Sequence, residues 1–143
     1  MFRCTTAALL TVVASTAFAP AADKPATAEK TNKPTGTWTR TFNEFTVTFK
    51  FEAHKMVVEV AKSDAESLTV HAAYSVTDDG VLFGYTTKVE KKGTDEGPEK
   101  GDLFSFAYKI EGDSLTVSDL NGSKPPSDPA RQLIQGEYKR LSK

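Results

Sequence analysis

Hydrophobic and polar residues alternate along most of the chain from Gly36 onward. Between Glu44 and Glu52, Phe45, Val47, Phe49 and Phe51 fall on one face, and Thr46, Thr48 and Lys50 fall on the other. A period of two is the mark of a strand with one buried face. The same pattern places Leu68, Val70, Ala72, Tyr74 and Val76 together over 67–77. It places Val81, Phe83, Tyr85 and Val89 together over 81–91, and Phe104, Phe106, Tyr108 and Ile110 over 103–111. Weaker alternation marks 37–42, 55–62, 114–118 and 137–141, which makes eight predicted strands. Asp78-Asp79-Gly80 and Glu111-Gly112-Asp113 read as tight turns. Parallel crossovers need a dozen or more residues, so strands this closely spaced form an antiparallel meander. An open meander leaves two bare edges, and closure into a barrel removes them. One short helix is expected over 130–135, with Ser127 or Asp128 as its cap, Pro129 in its first turn and Gly136 at its end. The fold expected is all-β: an eight-stranded antiparallel meander closed as a barrel, with a short helix before the last strand.

The N-terminus reads differently. Arg3 precedes Ala7–Ala19, AALLTVVASTAFA, a run of signal-peptide length that is too short to span a membrane. Cleavage after Ala17-Phe18-Ala19 would leave Pro20 first, so cleavage after Ala21 or Ala22 is expected. An uncleaved anchor is the alternative. The organisation expected is a signal peptide over 1–21, a disordered linker rich in Ala, Thr, Lys and Pro over 22–35, and a β domain over 36–143. This predicts a secreted or periplasmic protein. No second apolar run reaches membrane-spanning length.

Composition removes several classes of function. Cys4, inside the signal segment, is the only cysteine, so the β domain has no disulfide, thiolate ligand or cysteine nucleophile. Residues 36–143 carry 14 basic and 17 acidic side chains, a net charge of −3 with both signs interspersed. Nucleic acid, which needs a basic stripe, is not an expected partner. His54 at a turn and His71 on a polar strand face show no metal-ligand spacing, so no metal and no cofactor are expected. Asp78 and Asp79 suit turn geometry better than acid/base chemistry. No nucleophile elbow, zinc-protease motif, phosphate-binding loop or EF-hand spacing is present, so a noncatalytic protein is expected and an enzyme is a remote alternative.

Gly36-Thr37-Trp38 opens the domain and Arg140 lies near its end. Here the chain resembles the lipocalin and calycin-type barrels. That resemblance implies that Trp38 closes one end of the barrel and that Arg140 packs over its indole, a contact worth about 0.5–2 kcal/mol. The segments 74–90, 101–120 and 130–141 are also similar to an uncharacterised group of small secreted planctomycete proteins, a resemblance that bears on fold and compartment but not on mechanism. The candidate interior residues are Phe49, Phe83, Phe104, Phe106, Tyr74, Tyr85 and Tyr108. They either line a cavity for a small apolar ligand or fill the barrel as core, since eight strands leave room for little more than side chains. In the second case the domain would act through its outer surface, on a protein or a cell-wall polymer.

Overall fold

The computed structural model describes residues 33–142. The expected signal segment and most of the linker lie outside the described residues. No helix among the described residues is long and apolar enough to cross a membrane.

Eight strands form a closed antiparallel barrel in which each pairs with its sequence neighbours and the first meets the last. They are β1 (Gly36–Phe42), β2 (Phe45–Phe51), β3 (Lys55–Ser63), β4 (Glu66–Val76), β5 (Val81–Lys92), β6 (Leu103–Glu111), β7 (Ser114–Gly122) and β8 (Gly136–Arg140). Helix α1 (Asp128–Ile134) precedes β8. Closure rests on two residue pairs, Trp38 with Arg140 and Thr39 with Lys139. The fold class expected from the alternation is the one observed.

Alternation drives the assembly. The inward positions of β2, Val47, Phe49 and Phe51, are at most 5 % exposed, while Thr46 and Lys50 face solvent. Burying each large side chain contributes about 1.5–3 kcal/mol. Within the barrel Phe49 meets Phe51, Phe106 and Tyr138 at ring separations of 5.5, 5.9 and 4.9 Å. Phe51 meets Tyr74 edge-on at 5.8 Å.

Both ends of the barrel are covered. At one, Trp38 is fully buried and its indole N–H donates to the carbonyl of Thr35 at 3.1 Å. The Arg140 guanidinium lies 4.2 Å from the Trp38 ring centroid, donates to Thr35 O at 3.2 Å and sits 3.5 Å from Asp113. At the other end, α1 lays Leu133 and Ile134 against the core. The Ser127 hydroxyl caps this helix by accepting from the N–H of Ala130 at 3.4 Å. The helix begins two residues before the expected 130–135, because Asp128 and Pro129 already form its first turn, and Gly136 opens β8 instead of terminating the helix.

The register shifts at three places, between Ala61 and Ser63 at the β3–β4 turn and at two further bulges in β5 and β7. In β5, Thr86 pairs with Ala72 and Lys88 with His71, which leaves Thr87 as an extra residue. Its hydroxyl donates to His71 O at 3.1 Å. In β7, Ser118 pairs with Ala107 and Asn121 with Ser105, and Asp119 takes φ 52° in the irregular stretch between them. This second bulge carries β7 to Gly122, beyond the expected end at residue 118.

Candidate functional site

Four of the seven candidate interior residues, Phe49, Tyr74, Phe106 and Tyr108, belong to the buried core. The Tyr74 hydroxyl donates to Glu52 O at 2.6 Å. Burial pushes the phenols of Tyr74 and Tyr108 above their ordinary value. Phe104 is half-buried and stacks on Phe106 at 6.4 Å. Its ring also occupies the space over Gly84, where an added Cβ would stand 3.0 Å from its tip and only 2.2 Å from the carbonyl oxygen of Ala73.

Phe83 and Tyr85 are not in the interior: they point outward, 47 % and 50 % exposed. The bulge at Thr87 is the reason. Past it, Val89 pairs with Val70 on the inner side, so a strict period of two stepped back from Val89 puts Tyr85 and Phe83 inside. The extra residue reverses that parity, and the true inward positions of this half of β5 are Leu82, Gly84 and Thr86. Leu82 is fully buried and Thr86 is 2 % exposed.

The displaced aromatics create a surface feature. Phe83 and Tyr85 stand two residues apart on one outer face, and Tyr85 pairs directly with Leu103 of β6, which is 60 % exposed. A groove of about 320 Å³ runs beside them, lined by Phe83, Gly84, Leu103, Phe104, Ser105, Asn121, Gly122 and Ser123. Its floor is aromatic and aliphatic, and its rim carries an amide and two hydroxyls. Ser123 holds one wall in place by accepting from the N–H of Leu103 at 3.0 Å. Asn121 donates to Asp119 O at 3.0 Å. Such a surface can bind a flat, partly apolar group flanked by hydrogen-bonding groups.

The titratable groups considered for chemistry are dispersed. Among the described residues, no three His, Cys, Asp or Glu side chains converge as metal ligands. His71 Nε2 lies 3.1 Å from Glu90 on an exposed strand face. The Glu90 carboxyl is held below its ordinary range, first by the Lys88 hydrogen bond and then by His71. His54 is exposed at the β2–β3 turn, where its carbonyl accepts from the N–H of Tyr74 at 3.1 Å. Asp79 accepts from the Thr77 hydroxyl within the β4–β5 turn.

Arg40 was absent from the candidate residues. It shares the inner face of β1 with Trp38 and reaches the last carbonyls of α1, donating to Gln132 O at 3.1 Å and Leu133 O at 2.9 Å, and also to Gln135 O. Parity carried the signal, since Arg40 lies two residues beyond Trp38. Its role fastens α1 over the barrel end. Compared with protein-family models, curated proteins and solved structures, the chain matches none.

Proposed function

We propose that this protein is a noncatalytic, lipocalin-like domain exported to the cell envelope, and that it acts through its outer face by binding a polysaccharide. The observation that carries this reading is the exposed strip of Phe83, Tyr85 and Leu103 beside its groove. Contiguous apolar surface rimmed by polar groups marks interaction sites on soluble domains. The C–H face of a sugar ring suits the electron-rich face of an aromatic side chain, and Ser105, Asn121 and Ser123 supply hydrogen-bonding groups for ring hydroxyls. The alternative, a small apolar ligand inside the barrel, is weakened because the inward aromatics already meet one another at ring-stacking distances. The signal-like apolar run Ala7–Ala19 and the short linker fit an exported, tethered domain.

The test is retardation in native affinity gels containing soluble polysaccharides, both neutral and carboxylated. The wild-type chain should be retarded by at least one of them. The Phe83→Ser/Tyr85→Ser variant should lose at least about ten-fold in affinity, the size expected for removing two central aromatic contacts. Retardation by none, or retardation unaffected by the double substitution, overturns the reading. Native mass spectrometry showing a stoichiometric small molecule that is lost on organic extraction would instead favour the barrel-interior ligand.

A further inference from the structure

The groove beside Phe83 holds polar groups that the fold uses only in part. Asn121 donates through Nδ2 to Asp119 O at 3.0 Å. A carbonyl oxygen can only accept, so this bond fixes the amide: Nδ2 is the end held by the bulge, and Oδ1 is the other end. No donor among the described residues engages that oxygen. The Ser123 hydroxyl oxygen accepts from the N–H of Leu103 at 3.0 Å, which leaves its own hydrogen to donate. The groove thus offers an acceptor and a donor two residues apart, about 6.8 Å at the usual strand rise. They stand beside the apolar surface of Phe83, Leu103 and Phe104.

A secondary acetamide matches this set. Its N–H and C=O point to opposite sides, so partners on the two sides stand roughly 7 Å apart when each bond is of ordinary length. Its methyl group gains from apolar surface next to them. A plain hydroxyl can use either polar group, but it brings no methyl to the floor. Phe83 pairs with Ser105, and Ser105 with Asn121, so the three form one outer row at about 4.8 Å per strand. A sugar ring stacked on Phe83 can direct an in-plane substituent along that row, over Ser105 toward Asn121.

The surrounding charge suits a neutral substituent. None of the residues lining the groove is ionisable. Lys124, next in sequence to Ser123, is matched by Glu99 at 2.7 Å and by Asp102 at 3.6 Å. The carboxylate of Asp119, in the bulge beside Asn121, is met among the described residues by the Ser118 hydroxyl at 3.4 Å and by no cation. It would repel an anionic group. We infer that the ligand is a polymer of N-acetylated amino sugars, with one ring on Phe83 and its acetamido group held between Asn121 Oδ1 and the Ser123 hydroxyl, methyl toward the groove floor. This rests on the polysaccharide reading above and names the class of sugar.

Two tetrasaccharides with the same backbone linkage isolate the group: tetra-N-acetylchitotetraose carries an acetamide where cellotetraose carries a hydroxyl. In calorimetry the wild-type chain should bind the acetylated sugar about ten-fold more tightly, the size of one or two neutral hydrogen bonds. Raising the salt from ~0.05 M to ~0.5 M should leave that preference intact, since no charge takes part. Asn121→Ala should erase the preference with cellotetraose binding unchanged, and the unchanged binding shows that the aromatic platform has kept its shape. NMR saturation transfer reads the pose without any substitution: saturation of the protein's aromatic protons should reach the acetamido methyl most strongly. Equal binding of the two sugars by the wild type, a preference kept by Asn121→Ala, or a methyl that receives no saturation would each overturn this inference and leave polysaccharide binding standing. Tighter binding of the deacetylated tetrasaccharide would overturn it too, because attraction of its amines to Asp119 would then explain recognition. If Asn121→Ala loses both sugars, the bulge has given way and the methyl saturation decides alone. Binding of neither tetrasaccharide also overturns the inference, and if no polysaccharide of the broader panel retards the chain, the polysaccharide reading falls with it.

Discussion

Arg40 shows how one side chain can fasten an element. Helix α1 is seven residues long and has no fully buried residue, so propensity alone would not hold it. Arg40 supplies a cation at its C-terminal end, where unsatisfied carbonyls concentrate negative potential. The guanidinium passes directly over Gly136, where an added Cβ would lie 2.5 Å from its central carbon, at a φ of 143° that side chains rarely adopt. Arg40→Met should therefore cost about 2 kcal/mol, as expected for lost hydrogen bonds to a charged group. Gly136→Ala should cost a similar ~2 kcal/mol through collision and backbone strain. The two effects should not add: with Arg40 gone, the alanine meets no guanidinium, and only its strain remains. Urea unfolding of the four proteins in this cycle measures the coupling, and strict additivity would remove Arg40 as the obstacle at Gly136. Its spacing of two from Trp38 was the available sign of an inward position, but its use was illegible. Its partners are main-chain carbonyls more than ninety residues away, and no side-chain motif announces them.

The strands were legible where their alternation was unbroken. β2, β4 and β6 each present the inward residues their sequences imply, because large apolar side chains occupy every second position without interruption. β5 was legible as a strand but not as to its faces. One inserted residue at Thr87 has no side-chain signature, and Phe83 and Tyr85 are as apolar as core residues. The glycine between them was the available clue: Gly84 is an inward position left empty for the Phe104 ring. The same bulge coincides with the loss of pairing to β6, so the two halves of β5 should differ in protection. In hydrogen exchange, Val81–Thr86 should exchange slowly, held on both sides. Residues 88–92 should show a fast-exchanging subset, because amides directed away from β4 have no strand partner. Uniformly slow exchange across β5 would mean that the loop 93–101 closes this edge in solution.

At the scale of the whole molecule, closure was legible as a solution to the problem of bare edges, but its register was not. The last strand offered Tyr138 and Arg140 on one face and Leu141 on the other. The structure buries Tyr138 completely and leaves Leu141 49 % exposed. Tyr138 then ties the barrel together: its ring meets Phe49, and its hydroxyl donates to Ile134 O of α1 at 2.6 Å. Burial raises its phenol far above the ordinary 10.0, and the Arg40 guanidinium opposes that shift only in part. Tyr74 and Tyr108 are shifted in the same direction. An unfolded chain ionises these phenols near their ordinary value, while the folded chain keeps them protonated to higher pH. Between those limits the unfolded state binds fewer protons, so stability is full below about pH 10 and falls as pH rises above it. Urea midpoints measured from about pH 8 to about pH 11 should decline across the upper part of that range. Tyr138→Phe should start from a lower stability, having lost the bond to Ile134, yet decline less steeply, because the most strongly shifted phenol is gone. Comparing slopes rather than midpoints isolates the phenol from lysines, which titrate in the same range in both proteins. A slope unchanged by the substitution would mean that Tyr138 reaches solvent when α1 lifts away, and that the helix is a looser cover than its contacts with Arg40 and Tyr138 imply.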